Sequence, residues 1–153
     1  MPNLLTESLR YLKDHKKIEG GSIMRILIAE DDLTSRRFLS KFLSQYGEVD
    51  MVVDGLEALD AYLISIKENN PYDLFCLDIM MPKVDGVKVL KAIREYEVKQ
   101  GVAKEQRVNV IMTTALAETD YVKKAFELGC EAYAAKPIDT NKMLEVMRKL
   151  ELI

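Results

Sequence analysis

MRILIAEDDLTSRRFLSKFLSQYGEVDMVV, residues 24–53, holds one full period of this chain. Residues 24–30 form an aliphatic run without strict alternation, the pattern of a strand covered on both faces. Residues 33–45 then space their apolar side chains by three and four, with Phe38, Leu39, Phe42 and Leu43 on one stripe, as a helix lying on a sheet does. Gly47 breaks that helix, and 49–53 (VDMVV) reads as the next strand. The same alternation returns downstream. Runs at 72–79 (YDLFCLDI), 108–114 (VNVIMTT) and 131–135 (EAYAA) alternate with amphipathic stretches at 55–68, 84–99, 118–128 and 139–150. Pro71, Gly101 and Gly129 each precede a strand, while Asp54-Gly55 opens the second helix. Repeated strand–helix units of this kind predict an α/β domain with a doubly wound, five-stranded parallel sheet and helices on both faces.

Composition narrows the function. A chain of 153 residues, 48% hydrophobic, has room for one domain with a proper core. Lys and Arg number 22 against 25 for Asp and Glu, a formal charge of −3, which argues against nucleic-acid or anionic-membrane partners. No apolar run approaches the ~20 residues of a membrane helix, and no signal-peptide pattern opens the chain, so a cytoplasmic protein is expected. Cys76 and Cys130 stand in separate apolar segments and read as buried free thiols, not as a zinc or disulfide framework. His15, the only histidine, lies in a charged stretch, which disfavours a Ser-His-Asp triad or a multi-histidine metal site.

In a doubly wound sheet, chemistry collects at the carboxyl ends of the strands. Here those ends carry Glu30, Asp31 and Asp32, then Asp78, then Thr113 and Thr114, then Lys136-Pro137. Carboxylates gathered so closely must either protonate or share a divalent cation. An all-oxygen site with open positions favours Mg2+, with Mn2+ as the alternative ion. Such a set suits a phosphorylated aspartate: Asp78 would attack phosphorus in line, while Lys136 and Thr114 would each bind a phosphoryl oxygen.

With EDD at 30–32, LDIMMPKVDG at 77–86, TTA at 113–115 and AYAAKP at 132–137, the chain resembles the stand-alone, chemotaxis-type receiver domain of bacterial two-component response regulators over residues 24–153. The resemblance implies a flavodoxin-like strand order 2-1-3-4-5 and Asp78 as the phosphoacceptor. It makes Thr114 the switch hydroxyl, Lys136 the site lysine, with the Lys-Pro peptide commonly cis, and Tyr133 the aromatic switch that turns inward on activation. Glu30 and Asp31 align as the acidic pair, because Arg36 then falls five residues after the second acid; Asp32 is a third, weaker candidate. The backbone carbonyl of Met80 completes the implied metal ligands. By the same resemblance the protein is a phosphoprotein that assists its own phosphorylation and dephosphorylation without being a conventional enzyme. Its partners are a sensor histidine kinase and either a downstream effector protein or, in a phosphorelay, a histidine phosphotransfer protein. A monomer or weak dimer is expected, and the chain's end three residues after the last helix points to another protein as the output.

Taken singly, these residues read otherwise. Acids or threonines before a helix are usually caps, and a strand tyrosine is usually core. Their order along four strands carries the argument. Met51, Met80, Met81, Met112, Met143 and Met147 read as core or surface filler. An aspartate-nucleophile phosphohydrolase would need a second aspartate as general acid two residues past the nucleophile, where Met80 stands. Neither a G-x-G-x-x-G nor a P-loop occurs to support nucleotide or flavin binding. Met80 and Leu116 occupy the two positions that tune phosphoryl lifetime in the family; both are apolar and cannot orient water, so slow self-dephosphorylation is expected. The stretch 94–107 (REYEVKQGVAKEQR) reads as an extended third helix with a polar, solvated tail. Residues 1–23 form an extension with Leu5, Leu9 and Leu12 at helical spacing, read as a docking or dimerisation helix. The alternative is a start-site artefact, since Glu19-Gly20-Gly21 can be encoded by a ribosome-binding sequence just upstream of Met24.

Overall fold

The computed structural model describes residues 23–115 and 119–153, so the expectations for the N-terminal extension up to residue 22 and for Leu116 fall outside the described residues. Five strands, β1 (Met24–Ala29), β2 (Gly47–Val52), β3 (Leu74–Asp78), β4 (Asn109–Thr114) and β5 (Ala132–Ala135), form one parallel sheet in the order β2-β1-β3-β4-β5. Between and after them run α1 (Leu33–Leu43), α2 (Gly55–Lys67), α3 (Gly86–Lys99), α4 (Asp120–Leu128) and α5 (Thr140–Lys149), with a short 3-10 turn at Lys104–Gln106. The doubly wound architecture and its strand order are those expected.

Alternate residues of the central strands feed two apolar layers. Leu27, Ala29, Phe75, Leu77, Val110 and Met112 join side chains of α2, α3 and α4, such as Ala58, Tyr62, Val89, Ile93 and Val122. Ile26, Ile28, Leu74, Cys76 and Ile111 pack with Leu39 and Leu43 of α1 and Met143 and Met147 of α5. Both cysteines are buried free thiols, Cys130 in the first layer and Cys76 in the second. The unbroken apolar runs of β1, β3 and β4 are explained by burial on both faces. For β2 and β5 that reading needs correction, because these are the edge strands: Glu48, Asp50, Met51, Tyr133 and Ala135 are exposed.

Aspartates start four of the helices. Asp32, Asp54, Asp85 and Asp139 each cap one by accepting backbone N–H bonds, from Ser35, Glu57, Lys88 and the Asn141–Lys142 pair respectively.

The extended third helix is not found. Helix α3 stops at Lys99, Gly101 turns the chain with φ +70°, and Val102 is drawn back into the core, its N–H bonded to Glu97 O at 2.9 Å. Two charges assigned to a solvated segment, Arg94 and Glu97, are instead buried. Arg94 donates from Nη1 to Glu97 Oε1 at 2.5 Å, from Nη2 to both Glu131 carboxylate oxygens at 3.0 Å, and from Nε to Gly129 O at 3.1 Å. The two glutamates in turn accept the backbone N–H groups of Val108 (3.0 Å) and Val110 (2.6 Å) beside and within β4. Side-chain charge alone could not reveal this, since the partners Glu97 and Glu131 are 34 residues apart in sequence and meet only in the fold.

Candidate functional site

The strand-end residues singled out above converge on one edge of the sheet, with only the Asp32 carboxylate turned away from the group. Glu30 follows β1, Asp78 ends β3, Thr113 and Thr114 end β4, and Lys136 follows β5. Lys136 Nζ donates to Glu30 Oε1 and to Asp78 Oδ2, the latter at 3.1 Å. Carboxylate oxygens of Glu30, Asp31 and Asp78 lie within 4.8 Å of one another, the grouping among the described residues that could hold a metal ion. Three acids face one ammonium there, and Asp31 remains exposed toward solvent, so the edge is electron-rich and open on one side. Oxygen-only donors with an open approach suit a hard divalent cation such as Mg2+.

Burial sets the electrostatics. Glu30 is fully buried. Its pKa is raised from the ordinary value by that desolvation and by sharing a hydrogen bond with Asp78, against the pull of Lys136. Burial also disfavours the Lys136 ammonium, yet hydrogen bonding and attraction from Glu30 and Asp78 outweigh it and raise its pKa. The lysine therefore remains charged and holds the two acids together while no other cation does so.

Several local devices fix the acid-bearing turns. Arg36 reaches back from α1 to donate to Glu30 O at 2.9 Å and Asp31 O at 3.2 Å. Asp32 N donates to Glu30 Oε2 at 3.3 Å, but the Asp32 carboxylate turns away to cap α1 on Ser35 N at 2.9 Å. Hydrogen bonding from the Ser35 backbone N–H and hydroxyl holds the Asp32 pKa below the ordinary value. Asp32 is thus not brought into the acidic group, and its role is that of a cap. After β3, Met80 N donates to Asp78 Oδ1 at 3.4 Å, while the Met80 side chain is half exposed. The following loop rests on the β2–α2 turn: Gly55 N donates to Pro82 O at 3.4 Å, and Lys83, at φ 69°, pairs with Asp54 Oδ2 at 3.2 Å. Asp54 read in the sequence only as a helix opener. Its second use depends on a loop 29 residues away and leaves no local signal.

Thr114 and Tyr133 share a face of the sheet. Tyr133 pairs in register with Met112, and Thr114, two residues along, points the same way, toward α4. The Tyr133 ring is partly exposed and lies edge-on to Phe126 of α4, with centroids 6.0 Å apart and planes at 89°. Lys136 N donates to Thr114 O at 2.8 Å, and the Lys136–Pro137 peptide is cis.

Comparison with known proteins agrees with this geometry. Residues 26–148 match the family model of the response regulator receiver domain. The chain is 32% identical over 129 residues to the chemotaxis protein CheY of Treponema pallidum, covering 82% of this chain and 81% of that protein. It is 35% identical over 138 residues to the hybrid signal transduction histidine kinase L of Dictyostelium discoideum, covering 90% of this chain but only 8% of that much longer protein. Among solved structures it resembles the CheX–CheY–BeF3–Mg2+ complex of Borrelia burgdorferi, with a TM-score of 0.73 and 28% identity over 88% of this chain and 93% of that one.

Proposed function

The chain belongs to the response regulator receiver family, and on that premise we propose that Asp78 accepts a phosphoryl group from a sensor histidine kinase and that the resulting aspartyl phosphate switches the surface read by a partner protein. A carboxylate oxygen of Asp78 attacks the phosphorus of the kinase's phosphohistidine, the P–N bond breaks, and the imidazole leaves as the phosphoryl group passes to the aspartate. Glu30, Asp31 and Asp78, with the Met80 carbonyl, would hold Mg2+, which supplies charge neutralisation for the phosphoryl oxygens; Mn2+ offers the same oxygen-ligand chemistry. Lys136, already bonded to Asp78, is placed to follow the negative charge onto a phosphoryl oxygen. The Thr114 hydroxyl takes another, and its movement frees space on the α4 face into which the exposed Tyr133 ring turns. Positioning and electrostatics supply most of the catalysis.

The observation that carries the reading is the Lys136 ammonium bound to both Asp78 and the fully buried Glu30, within a three-carboxylate group. A mere helix-cap cluster has no reason to bury a carboxylate and supply it with a lysine from a distant strand. The likeness to a CheY solved with BeF3 and Mg2+ supports the cation and the phosphoryl chemistry. A phosphorelay role, with onward transfer to a histidine phosphotransfer protein, has support in the likeness to a hybrid kinase. The phosphohydrolase alternative has none, since Met80 stands where its general acid is needed. Among the described residues no helix is long and apolar enough to cross a membrane.

The test is phosphotransfer from radiolabelled histidine kinases with Mg2+ present. Label is expected on the wild-type chain and not on Asp78→Asn; label surviving that substitution refutes the assignment. Chasing the labelled chain with a histidine phosphotransfer protein then separates relay from terminal regulator.

A further inference from the structure

The side chain of Thr113 is buried, the residue being 1% exposed, and its Oγ1 has no hydrogen-bond partner among the described residues. A buried hydroxyl in that condition has forfeited its hydration and received nothing in exchange. Register shows where it points. Ile111, two residues earlier on β4, packs in the layer under α1 and α5, so Thr113 projects to the same side. On β3, Cys76 belongs to that layer and Asp78 follows it by two, and Asp78 is the direct ladder partner of Thr113. The opposite neighbour is Ala134, whose lone methyl crowds little, and Lys136 lies two residues beyond it. Thr114 faces the other side, with Tyr133. Asp78 is thus flanked by two adjacent hydroxyls, one on each face of the sheet.

In the unmodified protein Asp78 does not call on Thr113: its Oδ2 accepts from Lys136 and its Oδ1 from Met80 N. Phosphorylation changes the demand. One carboxyl oxygen becomes the bridge to phosphorus, the negative charge moves outward onto the phosphoryl oxygens, and the Lys136 ammonium follows it. With Oδ1 as the bridge, the remaining carbonyl oxygen, Oδ2, would keep one lone pair toward the divalent cation and, having lost Lys136, has its second lone pair open to a donor at the inner end of the site. We propose that Thr113 is a second hydroxyl of the phosphorylation site, which donates to the Asp78 carbonyl oxygen in the phosphorylated state while Thr114 serves the phosphoryl group. This role rests on Asp78 being the phosphoacceptor. It gives a use to a buried hydroxyl that otherwise has no partner among the described residues.

The test compares the full wild-type chain with Thr113→Val, which keeps the branched shape and removes the hydroxyl, and Thr113→Ser, which keeps the hydroxyl. Beryllofluoride is the probe, titrated calorimetrically at saturating Mg2+, with melting curves of the unmodified proteins alongside. Thr113→Val is expected to melt at a higher temperature, because an unpaired buried hydroxyl has gone, yet to bind beryllofluoride about fivefold more weakly, the worth of one net hydrogen bond. Thr113→Ser is expected to restore the affinity. A purely structural threonine would not separate stability from affinity in this way. Unchanged affinity in Thr113→Val, or equal weakness in Thr113→Ser, overturns the proposal while leaving the receiver reading intact. Failure of the wild-type chain to bind beryllofluoride, or equal binding by Asp78→Asn, removes both.

Discussion

Replacing Arg94 by Met tests whether the buried charge network at the end of α3 is a structural requirement. Arg94 makes four hydrogen bonds, to Glu97, to both oxygens of Glu131 and to Gly129 O. The side chains of Arg94 and Glu97 are 9% and 2% exposed, so water cannot take over when the guanidinium is removed. Breaking a buried ion pair from one side leaves an uncompensated charge, and the expected loss is about 4 kcal/mol. In a domain of this size that corresponds to a fall in melting temperature of roughly 10 °C. Burial already raises the Glu131 pKa and Arg94 opposes that rise, so without Arg94 it climbs further. A carboxyl whose folded pKa lies above its unfolded value stabilises the fold at low pH and loses that contribution as pH rises through the folded pKa. The deficit of Arg94→Met is therefore larger at about pH 8 than at about pH 5. Adding Glu97→Gln, which removes the stranded charge and keeps an acceptor for Val108 N, recovers part of it. Urea unfolding followed by circular dichroism, with linear extrapolation and an unchanged m-value, measures all three. A loss below about 1 kcal/mol would show the network to be no better than a surface pair, and a loss equal at the two pH values would refute the electrostatic argument.

Two further outcomes concern the site. A Cβ on Gly86 would lie 2.1 Å from the carbonyl oxygen of Asp78, so Gly86→Ala must displace the end of β3; it is expected to destabilise by about 1–3 kcal/mol and to weaken beryllofluoride binding at saturating Mg2+. Gly101→Ala serves as its control, since there only the left-handed φ of +70° is opposed: about 1 kcal/mol should be lost with affinity unchanged, and equal affinities in the two variants would refute the geometric argument. On the proposed assignment of Asp78 as phosphoacceptor, the apolar Met80 two residues on supplies no hydrogen bond to an attacking water, so in Mg2+ and without a phosphatase the acyl phosphate should outlast seconds. Loss of label within seconds, in a simple decay assay, contradicts this.

Periodicity and punctuation were enough to read the architecture. The runs at 24–30, 72–79 and 108–114 are apolar throughout because β1, β3 and β4 are covered on both faces, and a one-dimensional pattern records burial of that kind directly. The principal site residues were legible for a related reason: in a parallel sheet all strands end on the same edge, so Glu30, Asp31, Asp78, Thr114 and Lys136 could be placed together from their strand positions alone. What stayed hidden depends on side chains from distant segments meeting. Asp32 is chemically equal to Asp31 in the sequence, and only the geometry of the α1 N-terminus commits it to Ser35 N. Arg94 and Glu97 look like a solvated helix tail until Gly101 turns the chain and Glu131 arrives from just before β5. Thr113 and Thr114 are neighbours of one kind, and the pleat of β4 sends one hydroxyl toward the face of α1 and α5 and the other toward α4. Sequence by itself determined which elements form and which edge carries the acids, because these follow from local spacing and from the direction of the strands. The tertiary structure alone decided which carboxylates share the lysine, which charges are buried and which hydroxyl lies in register with Asp78, because each of these is a distance across segments far apart in the chain.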